Sequence, residues 1–226
     1  MALATAKSTV KTDYQNLNVT IVGAPKVGKS TFASQLGSNV YVAAFEPGYH
    51  FLEVFKSDIS KWQDFENMVT ALHTDKHNFK HLVIDTVDIM HGYAEDEICR
   101  RNKVDKITDL PYGSGFKATK KLMMNELDRI NKLGMGITFI THNKDKEFQK
   151  DNIKWTGIGT SMSASVEEQI LGLCDLILFV YIDKDGTRKI RTKPTKFIQC
   201  AGDRSNKLPE VMPLDAKLVM ETLAKC

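Results

Sequence analysis

Cysteine is scarce in this 226-residue chain: Cys99, Cys174, Cys200 and Cys226 stand far apart, with no CxxC pair. That spacing excludes a disulfide scaffold and a cysteine zinc site, and fits reduced thiols in a cytosolic protein. His73 and His77 lie four apart without a second ligand pair, so they read as a solvated helix end rather than a metal site. Long apolar runs are missing too. The longest candidate, Leu171 to Ile182, is broken by Cys174-Asp175 and falls short of the ~20 residues that span a bilayer. The opening MALATAKSTVKTDYQNLN lacks the apolar core of a signal peptide. These absences point to the cytoplasm and to no membrane partner. With only 6 prolines and 14 glycines, collagen-like and low-complexity classes are excluded. A large charge excess is absent as well: a net charge of +3 excludes a generally basic, histone-like nucleic-acid binder, but not a locally basic one.

What is present alternates between strand-like and helix-like segments. Apolar runs at Asn18–Val22, Val40–Phe45, His81–Asp85, Ile137–Thr141 and Leu176–Ile182 read as strands. Helical spacing appears over Ser30–Leu36, over Trp62–Leu72 (Trp62, Phe65, Met68, Val69, Leu72), to about Asn102, over Phe116–Leu133, Ala164–Leu173 and Asp215–Ala224. Lys103–Gly115 is a predicted loop, and His142–Ser161 is polar and unpatterned, a long connection expected to be functional or mobile. Asp185-Gly186 signals a hairpin joining the fifth strand to Arg188–Thr192. The expected fold class is α/β: a mostly parallel twisted sheet flanked by helices, with a C-terminal antiparallel hairpin. The expected organisation is an N-terminal tail over 1–17 and one core over 18–226.

The first chemical motif is Gly23-Ala24-Pro25-Lys26-Val27-Gly28-Lys29-Ser30, followed by Thr31, which matches GxxxxGK[ST] between a predicted strand and a predicted helix. Its glycines let successive N–H groups converge on phosphate oxygens at the positive end of a helix. Lys29 supplies a charge for the β- and γ-phosphates, and the Ser30 hydroxyl can ligate Mg2+. Leu82-Val83-Ile84-Asp85 ends an apolar strand in a carboxylate, a Walker B element that would hold Mg2+ through water. Guanine recognition by NKxD fails, because Asn143-Lys144-Asp145-Lys146 has lysine at the aspartate position. DxxG fails too, with Asp88 three residues after Asp85, so ATP is the expected nucleotide.

Glu46 and His142 each end a predicted strand, where a parallel sheet lines its ligand crevice. Glu46 suits orienting or deprotonating an attacking water, or is a loop carboxylate beside Pro47-Gly48. His142 suits sensing the γ-phosphate, or is a solvated loop histidine.

The order of these parts resembles the RecA-like ATPase core. More narrowly, it is similar to the short, core-only RecA-type ATP-binding proteins of phages, some of which act in single-strand annealing and recombination. The residues concerned are GAPKVGKST (Gly23–Thr31), FEPG (Phe45–Gly48), LVIDT (Leu82–Thr86), PYGSGF (Pro111–Phe116), FITHNK (Phe139–Lys144) and AGDRSNKLP (Ala201–Pro209), within about Asn18–Asp215. The resemblance implies Glu46 as catalytic glutamate, His142 as sensor, and DNA contact by the loop after His142. It also implies basic hairpin residues reaching a neighbouring subunit's γ-phosphate, with Arg191, Lys193, Lys196 and Arg204 as candidates. A ring or filament of identical copies, and a single-strand-binding protein as partner, come with it.

Charge distribution bears on the same question. Arg188–Lys207 holds seven basic residues and one acid, leaving 24 basic against 27 acidic residues elsewhere. Such a cluster suits a phosphate backbone or fingers acting in trans, or is a solvated strand face. The segment after His142 mixes Lys144, Lys146, Lys150 and Lys154 with Phe148 and Trp155, a composition suited to single strands, diluted by Asp145, Glu147 and Asp151. Three functions compete: an ATPase acting on single-stranded DNA in recombination or annealing, a P-loop kinase for a small molecule, and a nucleotide-dependent binding module with little hydrolysis. Against the kinase, no arginine-rich lid segment follows the Walker B region.

Overall fold

The computed structural model describes residues 13–225, so Cys226 and the first twelve residues of the expected tail lie outside the described range. In chain order the elements are β1 (Asn18–Gly23), α1 (Lys29–Ser34), β2 (Val40–Ala44), β3 (Phe55–Asp58), α2 (Trp62–Thr74), β4 (His81–Asp85), α3 (Val87–Asn102), α4 (Ser114–Lys132), β5 (Gly136–Thr141), β6 (Asn143–Lys150), β7 (Ile153–Thr160), α5 (Ala164–Leu173), β8 (Leu176–Ile182), β9 (Arg188–Arg191), β10 (Gly202–Asp203), β11 (Val211–Pro213) and α6 (Ala216–Ala224). The main sheet runs β11-β9-β8-β1-β5-β4-β2-β3, with β10 beside β8. Strands from β8 through β3 are parallel, and β9 and β11 add on in antiparallel sense. The expected α/β class, a mostly parallel sheet flanked by helices with a C-terminal antiparallel hairpin, is what the chain adopts.

Both faces of the sheet are covered, which is why β4 and β5 are buried along their whole length and read as near-continuous apolar runs. Alternation along β4 sends Leu82 and Ile84 to a cluster with α2, α3, α4 and α5, and Val83 to a second cluster with α1 and α6. All five apolar residues that marked α2 in the sequence are buried against the first cluster. The order places β5 between β1 and β4. The end of β5 therefore falls between the phosphate-binding loop and Asp85.

Three expectations need correction. The segment 142–161 is no unpatterned loop but an antiparallel hairpin, β6 with β7. Its tip, Asp151-Asn152, has φ of 49° and 66°, the left-handed pair that a two-residue hairpin turn demands and that Asn and Asp tolerate. Strand β3, not foreseen, sits at the sheet edge with most of its residues exposed, so no burial pattern marked it. The tail boundary at residue 17 is also too late. Tyr14 and Leu17 are buried, and the Tyr14 hydroxyl bonds the Thr138 hydroxyl at 3.0 Å.

Candidate nucleotide-binding site

The loop between β1 and α1 is built as the motif requires. Gly28 has φ 104°, a conformation that suits glycine, and a Cβ on Gly23 would fall 2.5 Å from the Val180 carbonyl oxygen. Helix α1 begins at Lys29, one residue earlier than expected, and ends at Ser34; Leu36 still bonds back to the Ala33 carbonyl. Around the loop opens a cavity of about 500 Å³, lined among others by Lys29, Ser30, Glu46, Asp85, His142 and Arg188.

Lys29 is buried, and its ammonium uses three donors: to the carbonyls of Gly23 and Ala24, each at 2.9 Å, and to His142 Nδ1 at 3.3 Å. Burial pulls its pKa below the ordinary lysine value, while Asp85, Glu46 and Asp88 oppose that shift. With Nδ1 accepting from lysine, His142 carries its proton on Nε2, which lies 3.4 Å from Glu46 Oε1. The Thr86 hydroxyl donates to the same oxygen at 3.1 Å. The N–H groups of Phe45 and Glu46 both reach the Asp85 carbonyl, at 2.7 and 3.2 Å, which fixes Glu46 beside the Walker B strand. Lys29, His142 and Glu46 thus form one chain of contacts across three strand ends.

Asp85 is the other centre. Its Oδ2 accepts from Ser30 Oγ and from the Tyr49 hydroxyl, both at 2.6 Å. Burial pushes the Asp85 carboxyl up, and these two donors counter it. Carboxylate and hydroxyl oxygens, with no sulfur or imidazole among them, form a donor set that suits Mg2+. Ser30 and Asp85 fit such an ion, which would neutralise charge on bound phosphates. Among the described residues no group of three or more His, Cys, Asp or Glu residues could hold a metal ion; the rings of His73 and His77 are engaged elsewhere. Those two bond main-chain carbonyls, of Arg129 and Leu72.

Sequence reasoning missed Tyr49, Thr86, Asp88 and Ser161. Asp88 accepts from Thr141 Oγ1 at 2.9 Å, from the His142 N–H at 3.3 Å and from Ser161 Oγ at 2.7 Å, so it holds the junction of β5 and β6. Its only signal was an acidic residue in the first turn of a helix following Walker B. Tyr49 arrives from a loop, where no periodicity marks it.

The segment after His142 is sorted by its hairpin register. Lys144 faces Gly159, Lys146 faces Gly157, Phe148 faces Trp155 and Lys150 faces Ile153. Paired residues share a face, so Lys144, Lys146, Lys150, Phe148 and Trp155 lie together. Asp145, Glu147 and Lys154 fall on the opposite face. Phe148 and Trp155 stack with centroids 6.0 Å apart. Lys146 pairs with Glu167 at 2.6 Å, and Trp155 Nε1 donates to the Lys196 carbonyl at 2.7 Å.

A model described as AAA domain matches residues 15–205. The chain belongs to this family. The AAA domain match takes in both Walker elements, Glu46, His142 and the β6–β7 hairpin. Among solved structures, the chain is similar to the RadB recombinase, at 14% identity over 78% of this chain and 80% of that one, with a TM-score of 0.48. No curated protein matches it. No helix among the described residues is long and apolar enough to cross a membrane.

Proposed function

We propose that this AAA domain is a Mg2+-dependent ATPase of the phage recombination kind, which binds single-stranded DNA on its β6–β7 hairpin and couples that binding to nucleotide state. One observation carries the reading: His142 touches both the nucleotide cavity and the root of the hairpin. Its ring reaches Lys29 and Glu46, while its carbonyl accepts from the Ser161 N–H at 2.8 Å, just past the last residue of β7. A γ-phosphate arriving at Lys29 competes for the ammonium that His142 now shares. Any shift of His142 moves the anchored base of the hairpin, a differential contact of the sort that links two sites.

In this reading Gly23–Thr31 hold the phosphates, Ser30 and Asp85 hold Mg2+, and Glu46 activates water. On the hairpin, Lys144, Lys146 and Lys150 meet the DNA backbone while Phe148 and Trp155 offer stacking surface. Copies then assemble along the strand, as a ring or filament, with a single-strand-binding protein as a further partner. Phosphate release measured with and without single-stranded DNA tests the proposal, and stimulation by DNA is expected. Phe148→Ala and Trp155→Ala each raise the DNA dissociation constant roughly tenfold, since a stacked base contributes about 1–3 kcal/mol. Turnover without DNA stays near the wild-type rate in both. A strand that alters neither turnover nor ATP binding at moderate salt sinks the coupling. Hydrolysis near zero both with and without DNA would instead favour the binding module.

A further inference from the structure

The cations expected to act on a neighbouring copy are occupied within their own chain. Arg191 pairs with Glu210, and Lys193 sits 3.3 Å from Asn206 Oδ1 and 3.9 Å from Asp203. Lys196 lies 5.7 Å over the Phe197 ring, and Arg204 donates to the Gly172 carbonyl at 2.9 Å. Arg188 differs. It is exposed, and among the described residues its guanidinium has neither a hydrogen bond nor an ion pair. It nevertheless lines the cavity around Lys29 and Ser30.

We propose that Arg188 binds the nucleoside end of the nucleotide, at the α-phosphate and ribose, held by the phosphate-binding loop of its own chain. The inference rests on reading that loop as an ATP site. Alternation along β9 puts Arg188 on the same face as Ile190, which is buried in the cluster with Val27 and Phe32, so Arg188 stands on the loop's side of the sheet. Lys189 and Arg191 point to the other side. A Cβ built on Gly28 would lie 3.6 Å from Arg188 Cδ and 3.8 Å from Nε, so the side chain lies directly over the loop. Its backbone is fixed from both flanks: Arg188 is in register with Ile182 of β8, and its carbonyl accepts from the Leu214 N–H at 3.1 Å.

Sheet order supplies the direction. The phosphate-binding loop follows β1; His142, Asp85 and Glu46 follow β5, β4 and β2 on one side of it, while Arg188 comes from β9 on the other. The terminal phosphate belongs at the side of Glu46 and His142, which leaves the nucleoside end toward β9. A guanidinium fork suits the paired oxygens of a phosphate there, and reaches them without a second copy.

Dissociation constants for fluorescent ADP and ATP, measured on wild type, Arg188→Ala, Arg188→Lys and Lys29→Ala, test this. Arg188→Ala is expected to weaken ADP and ATP by the same factor, roughly tenfold for a lost charge-assisted hydrogen bond, with partial recovery in Arg188→Lys. Its exposed position leaves the circular dichroism spectrum unchanged. Weakened ATP binding with ADP spared places the contact at the γ-phosphate and overturns the proposal, as does no change in either. Intact binding with turnover lost, and restored on mixing with Lys29→Ala, assigns Arg188 to a neighbouring copy and overturns it too. Wild-type protein that binds neither nucleotide would overturn the reading of the loop itself, and the inference with it.

Discussion

Glu46→Gln is expected to bind ATP like the wild type and to lower phosphate release by about 10²–10⁴-fold, the usual contribution of a positioned general base. The substitution is nearly isosteric. Its amide oxygen still accepts from Thr86 and from His142 Nε2, the two contacts that orient the wild-type carboxylate at 3.1 and 3.4 Å. What disappears is the basic oxygen facing the cavity. Lys29→Ala provides the contrast, because it removes the one buried ammonium of the loop and is expected to fail already at binding. A fluorescent-nucleotide titration beside a phosphate-release assay separates the two: Gln at position 46 moves only the second, Ala at position 29 moves both. Turnover of Glu46→Gln within threefold of wild type would remove Glu46 from the chemistry and leave it as a support for His142.

Much of this site was legible because its residues follow strands. Glu46, Asp85 and His142 stand at or just past the ends of apolar strands, Lys29 opens α1 after the loop that follows β1, and a parallel sheet brings such ends to one edge whatever the intervening sequence. The structure adds the contacts that the one-dimensional pattern cannot hold. Tyr49 reaches Asp85 from an irregular loop, and Asp88 reaches His142 across 54 residues of chain. Arg188 was visible only as one charge among seven, since alternation along β9 has no meaning until the sheet shows which face holds the loop. The hairpin was obscured for a different reason. Most of its residues are exposed or half-buried, with burial confined to the end of β7, so polar residues occupy both faces and periodicity carries no apolar signal. The readable cue was local: Asp151-Asn152 between Lys150 and Ile153, followed by β-branched residues at alternate positions (Thr156, Ile158, Thr160). The same geometry turns a charge-diluted stretch into two unlike faces, acids on one and most of the lysines with both aromatics on the other.

The second large effect lies at the opposite end of the sheet and concerns stability rather than turnover. His81 opens β4 fully buried, and burial pulls its pKa down from 6.5 to about 4, against smaller upward effects of its bond to the Gln15 carbonyl and of the Asp13 charge. One tautomer satisfies the whole cluster: His81 Nδ1 donates to the Gln15 carbonyl at 3.3 Å, Nε2 accepts from Thr138 Oγ1 at 2.7 Å, and Tyr14 donates to Thr138 at 3.0 Å. A second ring proton would set a donor against the Thr138 hydroxyl at a site where both side chains are fully buried. Because the folded pKa lies below the unfolded one, the unfolded chain binds more protons between about pH 4 and 6.5. Stability is therefore complete above pH 6.5, falls as pH drops through that window, and levels off below about 4. The gap corresponds to about 3 kcal/mol at 1.36 kcal/mol per pH unit, of which about 2 kcal/mol is gone by pH 5. Urea unfolding of wild type and His81→Gln at pH 7 and pH 5 measures it. The wild type is expected to lose about 2 kcal/mol more than the variant over that interval, even though the variant starts from lower stability. Parallel losses in the two proteins would show that His81 titrates alike in the folded and unfolded chain, and that Tyr14 and Gln15 dock on the sheet without depending on a neutral ring.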